Sequence, residues 1–164
     1  MIKKLLLAIA LLLPVSAFAQ KFGVVNADEV MQSLPAFTEM KTKLEAASKT
    51  YEDEFGKLQA EFEKKYTELQ GMDDKTPAAI KDRRVQELQE LDQKIQQFRQ
   101  TAQQDLQRQQ QQLMQPIEAQ VMQALKTVGD EGGYTFIFEG NVPVYTGTSV
   151  ENVTAKVKTL LGIK

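Results

Sequence analysis

One apolar stripe with helical spacing runs from Phe37 to Leu69 and limits the possible folds more than any other feature of this chain. Its members recur every three or four positions, which places them on one side of an α-helix. At about 1.5 Å per residue, the unbroken pattern predicts a helix roughly 50 Å long. The stripe consists of Phe37, Met40, Leu44, Ala47, Tyr51, Phe55, Leu58, Phe62, Tyr66 and Leu69.

A second apolar stripe runs from Ile80 to Val128 and predicts a second long helix, which three glycines between 129 and 133 bring to an end. The segment GMDDKTP at 71–77 lies between the helices, with a glycine after one helix and a proline before the next. Each helix must cover its apolar side, so the two are predicted to pack antiparallel as a hairpin. Mirroring positions about the turn pairs Tyr51 with Phe98, and Leu58 with Leu91.

Two prolines divide the hairpin from the rest of the chain. Pro35 precedes the first helix, and Pro116 lies at the same height in the second, where an interior proline removes a backbone hydrogen bond and kinks the helix. We therefore expect an arm at 36–116 and a body formed by 20–35 together with 117–164. The alternative is that Pro116 is only a local kink within a longer arm.

Short strands are predicted at both ends of the chain. KFGVVN at 21–26 is a strand candidate, followed by a short helix from Ala27 to Ser33 that Asn26 and Glu29 would cap. YTFIFEGNVPVY at 134–145 predicts a β-hairpin, and Thr148 with Glu151 predicts the capped start of a terminal helix. A sheet this small leaves open edges, so the strands are interpreted as an assembly platform for further chains.

The first nineteen residues differ from the rest. Lys3 and Lys4 precede the apolar run LLLAIALLL at 5–13, and Ala17-Phe18-Ala19 is a small-x-small site. This pattern predicts a secretory signal peptide at 1–19 cleaved after Ala19, because nine apolar residues are too few to span a bilayer; a retained anchor is the alternative. The chain has no cysteine, which excludes a lipid anchor on that residue type. No integral membrane anchor is therefore expected in the exported chain.

Charge and residue types exclude several classes of function. Without Lys3 and Lys4, the 20 basic residues fall to 18 against 22 acidic ones, a net charge of −4 that argues against a nucleic-acid partner. Because histidine and cysteine are both absent, nucleophile systems and zinc sites built on them are excluded. The Asp73-Asp74 pair is interpreted as a solvated turn. We expect no catalytic residue, no metal site and no cofactor.

The arm is rich in aromatic residues, mainly on its first helix. One interpretation places most of them in the seam between the helices. The other leaves a partly exposed apolar strip that contacts a client protein, because a two-helix seam cannot enclose large rings completely. The candidate client-binding residues are Tyr51, Phe55, Phe62, Tyr66 and Phe98. Gly56, in the middle of the first helix, is a candidate flexible point.

The stretches KFGVVNADEVMQSLPAF at 21–37 and GGYTFIFEGNVPVYTGTSVENVTAKVKTLL at 132–161 resemble the Skp/OmpH family of periplasmic chaperones. The resemblance implies an α+β, mainly α fold: a small β-body from both chain ends, shared within a homotrimer, and long helical hairpins enclosing a cavity. It implies an ATP-independent holdase that keeps unfolded outer-membrane β-barrel proteins from aggregating in the periplasm. The candidate trimerisation residues are Phe22, Val24, Val25, Tyr134, Phe136, Phe138, Val142 and Val144.

The charge balance departs from the strongly basic members of that family. Near the predicted turn, Lys81, Arg83 and Arg84 are diluted by neighbouring acidic residues, which argues against lipopolysaccharide binding and for weaker electrostatic steering of clients. The alternative function is that of a structural or adaptor protein of the cell envelope, whose coiled-coil hairpin docks onto one folded partner.

Overall fold

A computed structural model describes residues 20–163, so the predicted signal peptide at 1–19 and its cleavage site lie outside the described residues. None of the helices within 20–163 combines the length and the apolar character needed to cross a bilayer. The described chain is mainly helical, with a small sheet. In chain order its elements are β1 (Phe22–Val25), α1 (Ala27–Ser33), α2 (Pro35–Gln70), α3 (Ala78–Gly132), β2 (Phe136–Glu139), β3 (Glu151–Asn152) and α4 (Thr154–Leu160).

The predicted helical hairpin is confirmed: α2 and α3 pack against each other along most of α2. The stripes meet in the seam, where Leu58 and Leu91 are both buried and the Tyr51 and Phe98 rings lie edge to face with centroids 6.0 Å apart. The connection after α2 begins at Gly71, whose N–H donates to the Thr67 carbonyl at 3.0 Å. Helix α3 then starts directly after Pro77, as the proline predicted.

Helix α3 continues through Pro116 without a break in its helical assignment. It also passes through Gly129 and ends at Gly132, where Gly133 takes a left-handed conformation with φ 64° and its N–H donates to the carbonyl of Asp130. Pro116 is exposed, and the next residue, Ile117, is buried in the body core. The apolar surroundings of α3 thus change from a two-helix seam to a multi-element core near this proline.

The sheet has three parallel strands in the order β2-β1-β3, so the strand nearest the start of the described chain lies between two from its end. In the register, Phe22 pairs with Phe136 and Val24 with Phe138 on one side. On the other side, Gly23 pairs with Glu151 and Val24 with Asn152. The prediction that both chain ends build one small sheet is therefore confirmed.

The predicted β-hairpin at 134–145 is wrong in its second half. After β2 the chain turns, with the Val142 N–H donating to the Glu139 carbonyl at 3.0 Å, and the residues up to 150 form no strand. Pro143 has no N–H to donate to a ladder, and β2, with which the second half of a hairpin would pair, is an edge strand bonded only to β1 within residues 20–163. Val142 and Val144 consequently lie on the surface, 65% and 107% exposed.

The terminal helix begins later than predicted, because Glu151 and Asn152 belong to β3 and not to a capped helix. The Val153 N–H donates to the Val24 carbonyl at 2.8 Å, which extends the strand pairing to the edge of α4. Thr154 then starts α4 and its hydroxyl accepts from the Asn26 N–H at 2.9 Å. At α1 the Glu29 N–H donates to the Asn26 side chain at 3.0 Å, so one half of the predicted capping box forms.

The body core lies between one face of the sheet and the helices α1, α3 and α4. Val30, Val153 and Val157 are fully buried there. Ile117, Val121, Ala124 and Val128 extend the core along the body end of α3. Because α1 and α4 contribute few residues each, the arm helix supplies much of the apolar surface that holds the sheet in place.

Two glycines make a matched test of this packing. Gly56 has open space where a Cβ would be, so Gly56→Ala should raise the free energy of unfolding by about 0.5–1 kcal/mol through a lower backbone entropy cost. A Cβ on Gly132 would overlap the Tyr134 ring, so Gly132→Ala should lower it by about 1–3 kcal/mol. Urea unfolding at one fixed protein concentration measures both, and equal stability of the two variants would contradict this packing.

Candidate functional site

One face of the sheet is apolar and open. Alternate residues of a strand point to opposite faces, so Val25 and Ile137 pack on the core while the aromatic residues of β1 and β2 point the other way. Phe136 and Phe138 remain 56% and 39% exposed. The Phe22 and Phe136 rings stack with centroids 6.2 Å apart, and Phe138 lies 5.7 Å from Phe136. We call Phe22, Val24, Phe136 and Phe138 the open sheet face.

The irregular segment after β2 borders this face and forms an apolar cleft of about 370 Å³ with it. The segment's own side chains are little covered, with Tyr145 84% exposed. The cleft is lined by Phe22, Val24, Phe138, Val142, Pro143, Tyr145, Thr146 and Val150. A single copy of the chain therefore exposes a contiguous apolar surface, the kind of patch that marks an interaction site.

The structure brings five of the eight candidate trimerisation residues to this surface, whereas Val25, Tyr134 and Val144 do not line it. Val25 is 4% exposed and belongs to the core of its own chain. Tyr134 lies against Gly23 and Gly132, before β2 begins. The other candidates are Phe22, Val24, Phe136, Phe138, Val142 and Val144, all partly or fully exposed.

A cluster of polar side chains that the sequence did not reveal joins residues near the two ends of the described chain. We call Lys21, Tyr134, Glu151 and Lys156 the polar clasp. The Lys21 ammonium lies 4.0 Å from the centre of the Tyr134 ring and donates to the Gly132 carbonyl at 3.1 Å. The Tyr134 hydroxyl donates to the Glu151 carboxylate, which also pairs with Lys156 at 2.5 Å. Hydrogen bonds from Lys156 and then from Tyr134 lower the pKa of Glu151 from 4.5 to about 2.

This lowered pKa predicts acid sensitivity of the body. A carboxyl group whose pKa is lower in the folded state stabilises it fully above its unfolded value of 4.5, and the contribution is lost as the pH falls towards about 2. We expect the stability advantage of the wild type over Glu151→Gln to shrink progressively across that range. Thermal unfolding followed by circular dichroism between pH 7 and 2.5 tests this, and a difference that stays constant below pH 4 would contradict it.

The candidate client-binding residues of the arm separate into two clefts instead of one continuous strip. Tyr51, Phe55 and Phe98 line a mid-arm cleft of about 220 Å³, where the Arg99 guanidinium lies 5.7 Å from the centre of the Phe55 ring. Phe62 and Tyr66 line a second cleft of about 440 Å³ closer to the turn. These rings pack in the seam and still leave apolar surface open, so their contact with a client stays a prediction.

Basic and acidic side chains are paired near the end of the arm. Glu87 accepts hydrogen bonds from Arg84 at 2.8 Å, from Arg83 at 3.1 Å and from Lys65 at 3.4 Å, and the bond from Arg84 is the main cause of its lowered pKa. In the turn, the Asp73 carboxylate accepts from the Lys75 N–H at 2.9 Å. Within residues 20–163, histidine, cysteine and acidic side chains form no cluster suited to a metal ion.

A comparison with protein families identifies the relatives of this chain. The family model described as "Outer membrane protein (OmpH-like)" matches residues 21–161, which include every strand and helix described above. No curated protein matches the chain. Because the family match covers most of the sequence, the chain belongs to the OmpH-like (Skp) family of non-enzymatic chaperones.

Proposed function

We propose that this protein is an ATP-independent periplasmic holdase that binds unfolded outer-membrane β-barrel proteins and prevents their aggregation. The observation that carries the proposal is the apolar surface that the arm leaves open along its aromatic residues. Unfolded membrane proteins expose apolar segments in water. Burying such a segment against the arm stabilises the complex by about 25 cal/mol for each Å² of apolar surface removed from water. The candidate contact residues remain Tyr51, Phe55, Phe62, Tyr66 and Phe98.

The proposed working form is a homotrimer that shares its β-bodies through the open sheet face. A stacked set of aromatic rings, with Phe136 56% exposed, is costly to leave in water and suits contact with the same surface of two further copies around one axis. The body is small and has no disulfide to replace such contacts. In this proposal, 20–35 and 117–164 form the trimerisation domain and 36–116 forms the arm.

Three arms on one body give a mechanism that needs no nucleotide. Each cleft binds weakly, but arms fixed to one body raise the effective concentration of binding sites around a client, so the total binding is tight. The backbone hydrogen bonds of a helix are satisfied internally, so the arms offer no strand edge that could seed aggregation. The client leaves when it inserts in the membrane and buries its own apolar surface.

Location and partners follow from the same proposal. The signal peptide at 1–19 is removed after Ala19 during export, which leaves the mature chain in the periplasm without an integral membrane anchor. Clients are recognised mainly by apolar contacts, because the mature chain is acidic overall. Lipopolysaccharide is not expected to bind, since basic and acidic residues are interspersed near the end of the arm: Arg83 and Arg84 share Glu87, and Asp82 adjoins them.

The test combines mass measurement with light scattering. The mature protein should sediment as a trimer at micromolar concentration, and it should suppress scattering when an unfolded outer-membrane barrel protein is diluted from urea without ATP. A second barrel protein of unrelated sequence should be held equally well. An adaptor would instead bind one folded partner stoichiometrically and leave scattering unchanged. A stable monomer, or scattering that the protein does not reduce, would refute the proposal.

A further inference from the structure

The two arm clefts lie on the same side of the hairpin. The mid-arm cleft is lined on α2 by residues between 48 and 55, and the second cleft by residues between 62 and 69. This offset of about 14 residues is close to four helical turns, so both clefts open in nearly the same direction, roughly 20 Å apart along the arm. The stacked Phe62 and Tyr66 rings, 6.4 Å apart, form the wall of the second cleft.

The mid-arm cleft has the size to accept one aromatic side chain, and Glu52 and Arg99 place one charge of each sign along its lining. Its volume of about 220 Å³ is lined mainly by rings and aliphatic groups, with Ala102 and Leu106 contributed by α3. Tyr51 is held in place because its hydroxyl donates to Asp105 at 2.5 Å. Arg99 is exposed at the rim, so its positive charge complements the negative face of an incoming ring, which an aliphatic side chain lacks.

The distance between the clefts selects a particular spacing in the client. An extended chain rises about 3.3 Å per residue and turns every second side chain to the same face, so roughly 20 Å corresponds to six residues. Strands of outer-membrane barrels alternate apolar and polar residues with this period and carry aromatic residues near the membrane interfaces. A segment of such a strand can therefore place one apolar side chain in each of the two clefts at the same time.

Resting on the proposed function, we propose that each arm binds its client as an extended segment with apolar side chains at positions i and i+6. The mid-arm cleft takes an aromatic ring against Arg99, and the second cleft takes the other side chain against Phe62 and Tyr66. The arm thus selects segments in which apolar and polar side chains alternate as in a β-strand, before that strand has formed. No particular amino-acid sequence is required.

Peptides of defined spacing test this inference on the purified assembled protein. Three labelled peptides of about twelve residues share one polar background and carry Phe at i and i+6, Phe at i and i+5, or Leu at i and i+6. Since i and i+5 lie on opposite faces of a strand, we expect the first peptide to bind at least about fivefold more tightly than the second. It should also bind more tightly than the Leu peptide.

Arg99→Gln should abolish the preference for Phe over Leu while retaining the preference for i+6 over i+5. Lys94→Gln is the matched control, because it removes the same charge from an exposed position of α3 outside both clefts and should change neither preference. Fluorescence anisotropy provides the affinities, and circular dichroism confirms that the helices are retained.

Each failure points to a different cause. If both Phe peptides bind equally to a protein that still suppresses client aggregation, the cleft inference is wrong and the holdase function stands. If peptides bind only after dilution dissociates the assembly, the clefts are covered by another copy of the chain, which also overturns the inference. If neither peptides nor unfolded barrel proteins bind, the proposed function fails as well.

Discussion

Phe136→Asp is expected to convert the assembled protein into monomers at micromolar concentration. Because Phe136 is 56% exposed in the single chain, an aspartate there stays hydrated and the protomer keeps its fold. In an assembly built on the open sheet face, the same carboxylate loses water without gaining a partner, which costs several kcal/mol per site. We expect association weaker by at least about a hundredfold.

Sedimentation equilibrium between about 1 and 100 µM measures this change, with far-ultraviolet circular dichroism as the check on folding. Ile80→Asp is the matched control, since Ile80 is 47% exposed near the far end of the arm and receives the same charge. The control should keep the mass of the wild type. A Phe136→Asp variant that retains that mass would place the subunit interface elsewhere.

The combined change Phe55→Ala, Phe62→Ala and Tyr66→Ala is expected to remove most of the holding activity. The rings of these three side chains line the two clefts. Truncating a well-packed aromatic side chain commonly weakens binding by about 1–2 kcal/mol. At least about tenfold more of the variant should be needed to halve the light scattering of a diluted barrel protein. Tyr51 and Phe98 are left intact because they pack against each other in the seam.

The matched control changes three exposed residues of the same helix, Lys57→Ala, Glu61→Ala and Lys64→Ala, which line neither cleft. It should hold clients like the wild type. Both triple variants must show the sedimentation mass of the wild type before their activities are compared. Full activity of the aromatic variant in an intact assembly would remove these residues from the client-binding surface.

The arm was predictable because its signal is local. Spacing of three and four residues fixes which side of each helix is apolar, and Gly71 and Pro77 mark where the connection begins and ends. The antiparallel seam follows from these facts, and the 6.0 Å separation of Tyr51 and Phe98 confirms the predicted alignment. The two clefts were less accessible to prediction, since the open surface depends on how far the rings on facing helices fill the seam.

The body was harder to predict because its pairings join distant residues. FIFE at 136–139 looks like the first half of a hairpin, yet β2 pairs in parallel with β1 and not with its own neighbours. Strand β3 contains only Glu151 and Asn152, too few for a periodic pattern, and Glu151 also fits a helix cap. The clasp of Lys21, Tyr134, Glu151 and Lys156 likewise depends on residues that only the folded sheet brings together.

The parallel sheet also determines which part of the protein can fold first during synthesis. Strand β1 occupies its centre, but both neighbours follow it by about 110 residues or more, so its pairings must wait for a very long loop to close. The arm, in contrast, forms from contacts around a short connection as soon as α3 exists. A chain interrupted before residue 136 has an arm but no neighbours for β1, and it cannot present the surface proposed to join subunits. In the proposed assembly, a chain must therefore extend past β3 before it can join other subunits.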